Sequence, residues 1–313
     1  MATIGALCVA ANCLRLLLHL ALCLRRPKDF RRCYGRWAVI TGPTSGLGQS
    51  MAMELAAQGL NLVLVGRDPA KLQDVSDKIA RRHGVQTRTV VFDLSLVSTP
   101  QGDAAMWRLR AAMEGLDVGV LVNNAGVARP GALFLHEAEV ESLVRMVRVN
   151  LQALTEVTAA VLPGMVARRR GAVVNIGSGS SFAVPSFPLY SVYAATKRYV
   201  AVFSKNLHVE YKSKGIDVQC QSKLQSPFFV ETKMISSAVK TSFFPLFVVT
   251  PDACARAAVR RIGHGTLCVP NLVHQVQWWS AGFLPEIIHD VYRLAKHLQQ
   301  RDIFRKLRSS RDK

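Results

Sequence analysis

Acidic residues are scarce. The 313-residue chain has 21 Asp and Glu against 40 Lys and Arg, a formal charge of +19 with His neutral. Such an excess directs attention to anionic partners, either nucleic acid or anionic membrane. Zinc-finger spacing, an arginine-rich helix and an aromatic-basic RNA motif are all missing, which excludes nucleic-acid binding as the reading. Charged residues make up only 19%, and half the residues are hydrophobic, which excludes intrinsic disorder. The seven cysteines form no C-x-x-C pair and four lie within the first 33 residues, so neither a disulfide framework nor a zinc site is expected. No internal repeat, low-complexity segment or convincing linker follows residue 36.

The excess charge is concentrated. Arg25 to Arg36 holds six bases and one acid, and Arg301 to Lys313 six and two, so these segments carry +5 and +4, together +9 of the +19. Ahead of the first lies an apolar run, Ala2 to Leu24, with eight leucines, near the ~20 residues that span a bilayer. Asn12, Arg15 and His19 fall on one helical stripe, and a central Arg costs about 2.5–3.5 kcal/mol on the insertion scale, which eight leucines at about −0.5 each roughly offset. A membrane-anchor helix is the preferred reading, with an in-plane amphipathic helix and a cleaved signal peptide as alternatives. The basic cluster follows the run and no A-x-A site is evident, which disfavours the signal peptide. The cluster around Pro27 then places the rest of the chain in the cytosol by the positive-inside rule. Two organisational units result, residues 1–33 as hydrophobic anchor with basic flank and residues 34–313 as the main domain with a C-terminal extension.

From Trp37 short apolar runs alternate with helical stretches, the pattern of a doubly wound parallel sheet. Trp37 to Thr41, Asn61 to Val65, Thr87 to Phe92, Val118 to Asn123, Gly171 to Gly177 and Gly215 to Gln221 read as strands buried on both faces. Gly46 to Gln58, Asp68 to His83, Glu137 to Arg168 and Tyr190 to Lys214 read as helices. The fold class is α/β, Rossmann-type.

At the first strand-to-helix turn stands Thr41-Gly42-Pro43-Thr44-Ser45-Gly46-Leu47-Gly48, where glycines permit close backbone approach and a helix N-terminus faces a pyrophosphate. The second strand ends Val65-Gly66-Arg67-Asp68. Arg67 suits a 2′-phosphate, so NADP is favoured over NAD, although Asp68 stands one position beyond the usual acid of an NAD site.

These motifs, with Asn123-Asn124-Ala125-Gly126 after the fourth strand and Tyr193-Ala194-Ala195-Thr196-Lys197, resemble the short-chain dehydrogenase/reductase family over residues 36 to 265. Within it, Tyr34 to Pro43, Gly115 to Gly119, Tyr190 to Tyr193, His208 to Tyr211 and Gly215 to Gln221 resemble the very-long-chain 3-oxoacyl-CoA reductases of microsomal fatty-acid elongation, especially plant members. The resemblance implies a Rossmann-type fold, NADPH as cofactor, a long-chain acyl-CoA substrate, elongation enzymes and membrane lipid as partners, and residence in the endoplasmic reticulum membrane. A hydroxysteroid dehydrogenase, or a catalytically weak NADP-binding partner subunit, stands as the alternative.

Ketone reduction needs a hydride donor, a proton donor and a group to hold the carbonyl. The resemblance makes Tyr193 the acid, Lys197 its partner one turn on and a ribose ligand, and Ser178 the carbonyl-holding serine, with Ser180 the alternative by spacing. Asn150 resembles the asparagine that keeps a water in the proton relay. Gly42, Thr44, Ser45, Gly46, Leu47 and Gly48 would cradle the pyrophosphate, Asp93 contact adenine, Asn123 fix the central strand, and Ala125 and Gly126 give the cofactor room. Val230 and Thr232, in Pro227 to Thr232, would hold the nicotinamide carboxamide; Phe228 replaces an expected glycine there and Ser222 to Ser226 look inserted. Ser242 to Thr250 and Leu267 to Tyr292 are apolar but broken by polar residues; an acyl-binding cover against the membrane and ordinary core packing both remain open.

Overall fold

The computed structural model describes residues 10, 14, 27–128, 130–178, 186–221, 250–268 and 285–309. Most of the N-terminal apolar run, Ser180, the 222–249 segment with Val230 and Thr232, and 269–284 lie outside them. In chain order the principal elements are α1 (Phe30–Cys33), β1 (Trp37–Thr41), α2 (Gly46–Ala57), β2 (Asn61–Gly66), α3 (Pro69–His83), β3 (Thr87–Val91), α4 (Pro100–Met113) and β4 (Val118–Asn123). There follow α5 (Val140–Val147), α6 (Ala153–Arg168), β5 (Gly171–Ile176), α7 (Ser191–Tyr211), β6 (Ile216–Gln221), α8 (Pro251–Arg260), β7 (Leu267–Cys268) and α9 (Glu286–Ser309).

The strands form one parallel sheet in the order β3-β2-β1-β4-β5-β6-β7. Chain direction across the sheet reverses between β1 and β4, and the crevice at the carboxyl ends of those two strands is where a doubly wound sheet takes its ligand. Alternation of side chains across each strand divides the core in two. Ala38, Ile40, Leu62, Leu64, Val120, Val122, Ala172 and Val174 pack under α2, α3 and α8. Val39, Val63, Val65, Leu121, Val173 and Val218 pack under α4 and α6. Every residue of β1, β4 and β5 is buried. The expectation of burial on both faces fails for β3, where Arg88, Thr89 and Val91 are exposed, because among the described strands β3 pairs only with β2 and stands at the sheet edge.

Local chemistry sets the helix ends. Asp68 accepts a hydrogen bond from the Lys71 backbone N–H (3.1 Å), Pro69 occupies the first turn, and Gly84 closes α3 at φ +66°. The stretch expected as one helix from Glu137 to Arg168 is α5 and α6 joined by a π-helical turn, Arg148–Gln152. That combined stretch is long and apolar enough to cross a membrane, yet Val149, Val157, Val161 and Met165 belong to the core.

The segment before β1 is fastened to the amino-terminal edge of the sheet. Phe30 and Tyr34 are buried, and the Tyr34 hydroxyl (2.5 Å) and Lys28 Nζ (2.7 Å) both donate to Asp217 Oδ2 at the start of β6. Burial, reinforced by Asp217, pushes the Tyr34 phenol well above its ordinary pKa.

Candidate active site

The crevice begins with a tight turn. Gly42 (φ +65°) and Gly46 (φ +56°) occupy left-handed conformations that favour glycine. A Cβ on Gly48 would stand 2.1 Å from the Gly42 carbonyl oxygen and 2.3 Å from Asn124 Nδ2, so α2 could not start so close to β1 with any other residue there. Ser45 precedes α2 without a side-chain capping bond, leaving the first-turn N–H groups aimed at the crevice. Asn124 Nδ2 donates to the carbonyls of Thr41 (3.0 Å) and Gly42 (3.1 Å), and Thr41 Oγ1 accepts from the N–H groups of Asn124 (3.1 Å) and Ala125 (3.0 Å). β1 and β4 are thereby locked at their carboxyl ends. The sequence reading missed the locking role of Thr41 and Asn124.

At the end of β2, Arg67 is exposed, whereas Asp68 is engaged as the α3 cap and in an ion pair with Lys71. Asp93 accepts from Ser95 N (3.0 Å) and Ser95 Oγ (2.8 Å). Burial pushes the Asp93 carboxyl up, but those bonds and the charges of Arg145 and Arg67 hold it below its ordinary value. The fully buried Asn123 donates to Thr158 Oγ1 (2.8 Å) and Asn175 Oδ1 (2.8 Å), and Asn175 donates to Ser204 (2.9 Å). This polar network crosses from β4 to β5 to α7 behind the crevice.

The reactive end of the site is assembled by β5 and α7. Ser178 lies two residues past β5 and is 1% exposed; Tyr193 and Lys197 lie one turn apart on α7 at 6% and 5%. Lys197 Nζ donates to the Ile176 carbonyl at 2.8 Å, which pins the ammonium under the end of β5. Asn150 sits in the π-helical turn, a feature found often at functional sites. Its Nδ2 donates to Val127 O (2.9 Å) and Thr196 Oγ1 (3.1 Å), its Oδ1 accepts from Val127 N (2.8 Å), and Thr196 in turn donates to the Tyr193 carbonyl (2.8 Å). Thr196, inside the Tyr193–Lys197 motif, carried no role in the sequence reading. A Cβ on Gly126 would press within 3.4 Å of Lys197 Nζ and 3.3 Å of Asn150 Oδ1, so this glycine keeps the loop open where the three elements converge.

Beside Tyr193 opens a shallow cleft lined by apolar residues including Leu133, Leu135, Leu143, Met146, Leu189 and Val192, with Tyr190 at its wall. Burial and the neighbouring Tyr193 push the Tyr190 phenol up to about 12. α9 closes over this wall. His297 Nδ1 meets Pro188 O at 2.6 Å, Tyr190 donates to Gln300 (3.3 Å), Asp290 bonds Ser186, and Arg301 and Arg305 pair with Glu137.

Residues 36–242 match the short chain dehydrogenase family model. The chain belongs to the short-chain dehydrogenase family. A very-long-chain 3-oxoacyl-CoA reductase-like protein of Arabidopsis thaliana is 42% identical over 281 residues, covering 90% of this chain and 86% of its own. A very-long-chain 3-oxoacyl-CoA reductase of Macaca fascicularis is 37% identical over 82% of this chain and 77% of its own, and a human inactive hydroxysteroid dehydrogenase-like protein 1 is 36% identical over 86% and 78%. Among solved structures, a short-chain dehydrogenase from Sphingobium yanoikuyae in complex with NADPH superimposes with a TM-score of 0.65 at 30% identity, over 78% of this chain and 91% of its own. The family assignment agrees with the motifs that carried the resemblance.

Proposed function

We propose that this short-chain dehydrogenase reduces long-chain 3-oxoacyl-CoA to the 3-hydroxyacyl-CoA with NADPH, as a step of fatty-acid elongation at the endoplasmic reticulum membrane. The observation that carries this reading is the buried Tyr193–Lys197 pair at the end of β5, opening onto an apolar cleft suited to an acyl chain. The relatives named for 3-oxoacyl-CoA reduction support the substrate class, and they favour it over a steroid.

The chain's own residues fit a dinucleotide. The close-packed turn 42–48 offers first-turn N–H groups to a pyrophosphate, with Thr44 and Ser45 beside it, while Leu47, its side chain buried in the core, can contribute only its main chain. Arg67, exposed, holds the 2′-phosphate with a permanently charged planar fork, while Asp68, committed to its helix cap, does not oppose that phosphate. Asp93 meets the adenine side. Ala125 and Gly126 leave space for the cofactor and Asn123 supports the strand behind it, while Val230 and Thr232, outside the described residues, would hold the carboxamide as the family resemblance implies.

Reduction of the ketone takes a hydride, which nicotinamide supplies when bound. Ser178 hydrogen-bonds the ketone oxygen, and Tyr193 donates its phenolic proton to that oxygen as negative charge develops there. A free phenol titrates near 10, so the Lys197 ammonium, held by the Ile176 carbonyl, lowers the cost of phenolate one helical turn away. Asn150 keeps a water in line to return the proton.

NADPH oxidation measured with a long-chain 3-oxoacyl-CoA and, in parallel, with a steroid ketone tests the reading. Turnover of the acyl substrate is expected; turnover of the steroid alone would overturn it, and failure with both would favour the weak-partner alternative.

A further inference from the structure

Helix α9 is amphipathic in an inverted sense. Its inward side is polar, with His289 and His297 buried and His297, Gln300 and Arg301 bonded to the wall and rim of the acyl cleft. Its outward side is apolar. Ile287, Ile288, Val291, Tyr292 and Leu294 are 71%, 49%, 65%, 47% and 40% exposed. At 3.6 residues per turn Ile287, Val291 and Leu294 form one line along the helix, with Ile288 and Tyr292 beside it, so the five make a continuous stripe rather than scattered single residues. Leaving such a stripe in water is unfavourable in proportion to its apolar area, which calls for a cover.

Two further observations identify that cover. Toward its C-terminus the exposed side becomes polar and net basic, with Lys296, Lys306 and Arg305 against one exposed acid, Asp302, Arg305 also sharing Glu137 with Arg301. An apolar stripe continued by cations is complementary to the acyl boundary and anionic headgroups of a bilayer. The cleft also adjoins the same helix, since Glu137, tied to Arg301 and Arg305 about two turns beyond the stripe, lies on the same short turn as Leu135, which lines the cleft and is itself 62% exposed.

We propose that α9 lies in the interface of an anionic bilayer, its Ile287–Leu294 stripe among the acyl chains, and that this docking sets the mouth of the acyl cleft against the membrane, so that the substrate's hydrocarbon tail enters from lipid. The entry route rests on the acyl-CoA reading of the cleft; the docking does not.

The test places the photoreactive residue p-benzoylphenylalanine at Val291 of the full chain, reconstituted in phosphatidylcholine vesicles containing phosphatidylserine, with Leu17 labelled separately. Lipid adducts at Val291 are expected, and substituting both Ile287→Glu and Ile288→Glu should lower their yield about tenfold or more. Adducts from Val291 to residues 269–284 of the same chain, adducts to a second copy, or no adducts would each overturn the docking. Adducts at Val291 without any at Leu17 uphold it while removing the N-terminal anchor. The entry route is read separately: I287E/I288E should lower kcat/KM for a vesicle-borne long-chain 3-oxoacyl-CoA about tenfold and leave a short water-soluble one within twofold. Equal loss on both substrates, or on neither, would overturn the entry route.

Discussion

Changing Gly48 to Ala isolates the close approach on which the cofactor turn depends. The new Cβ would lie 2.1 Å from the Gly42 carbonyl oxygen, where side-chain carbons stay at least 3.0 Å away, so about 0.9 Å must be found. The obstruction is main chain and cannot rotate aside. Moving the Gly42 carbonyl by that amount also breaks its 3.1 Å bond from Asn124. Overpacking at about 1–3 kcal/mol and a lost hydrogen bond at about 1 kcal/mol together predict a loss of roughly 2–4 kcal/mol in stability. A displacement near 1 Å in a binding turn predicts a loss of NADPH affinity approaching ~10². Urea unfolding and a fluorescence titration with NADPH measure the two. Gly84→Ala is the control: it too has positive φ, at +66°, but nothing lies within 4 Å of its Cβ, so about 1–2 kcal/mol of backbone strain is expected with affinity unchanged. If Gly48→Ala binds NADPH within twofold of the parent, the turn does not carry the pyrophosphate.

Arg67→Ala should weaken NADPH by about 10–100-fold and NADH little, because the lost contact is to the 2′-phosphate; equal losses for both nucleotides would remove that assignment. Tyr193→Phe keeps the buried ring and removes the acid, so turnover should fall by ~10² or more with NADPH binding retained, and unchanged turnover would exclude Tyr193 as proton donor. His297 is held below its ordinary pKa by burial, against the Pro188 carbonyl that raises it and with Arg293 adding to the lowering. The fold therefore favours neutral His297: its contribution is fully present above about 6.5 and is lost as pH falls. Hydrogen exchange corrected for intrinsic rate should show α9 losing protection at pH 5.5 relative to 7.5, an effect absent in His297→Gln; protection of the parent that stays constant over that range would contradict this.

Buried strands were the most legible elements. The bounds of β1 and β4 follow from runs of Val, Ile and Leu that no helix period fits, and the glycine turn and Tyr193–Lys197 spacing marked the site. Four things escaped for physical reasons. α4 begins with a readable signal, Thr99 capping Gly102 N and Pro100 in the first turn, but its buried Ala105, Met106 and Leu109 are diluted by Arg108, Arg110 and an exposed Trp107. The π-helical turn at Asn150 is invisible to a 3.6-residue period because it shifts register by one residue between two good helices. α9 defeats the rule that apolar residues face inward, so its N-terminal half read as part of an apolar tail. The hydrogen bonds of Thr41, Asn124 and Thr196 join strands or helices far apart in sequence, and no local pattern announces them.

The fastening of Lys28 and Tyr34 to Asp217 has a mechanical meaning. A pull on the chain ahead of Pro27 is met at the amino-terminal ends of the strands, by these ties to Asp217 on β6 and by the chain leading into β1, a full strand length from the turn at Gly42 and the end of β5. The preceding segment is thus attached at one end of the sheet and the chemistry of Ser178, Tyr193 and Lys197 stands at the other.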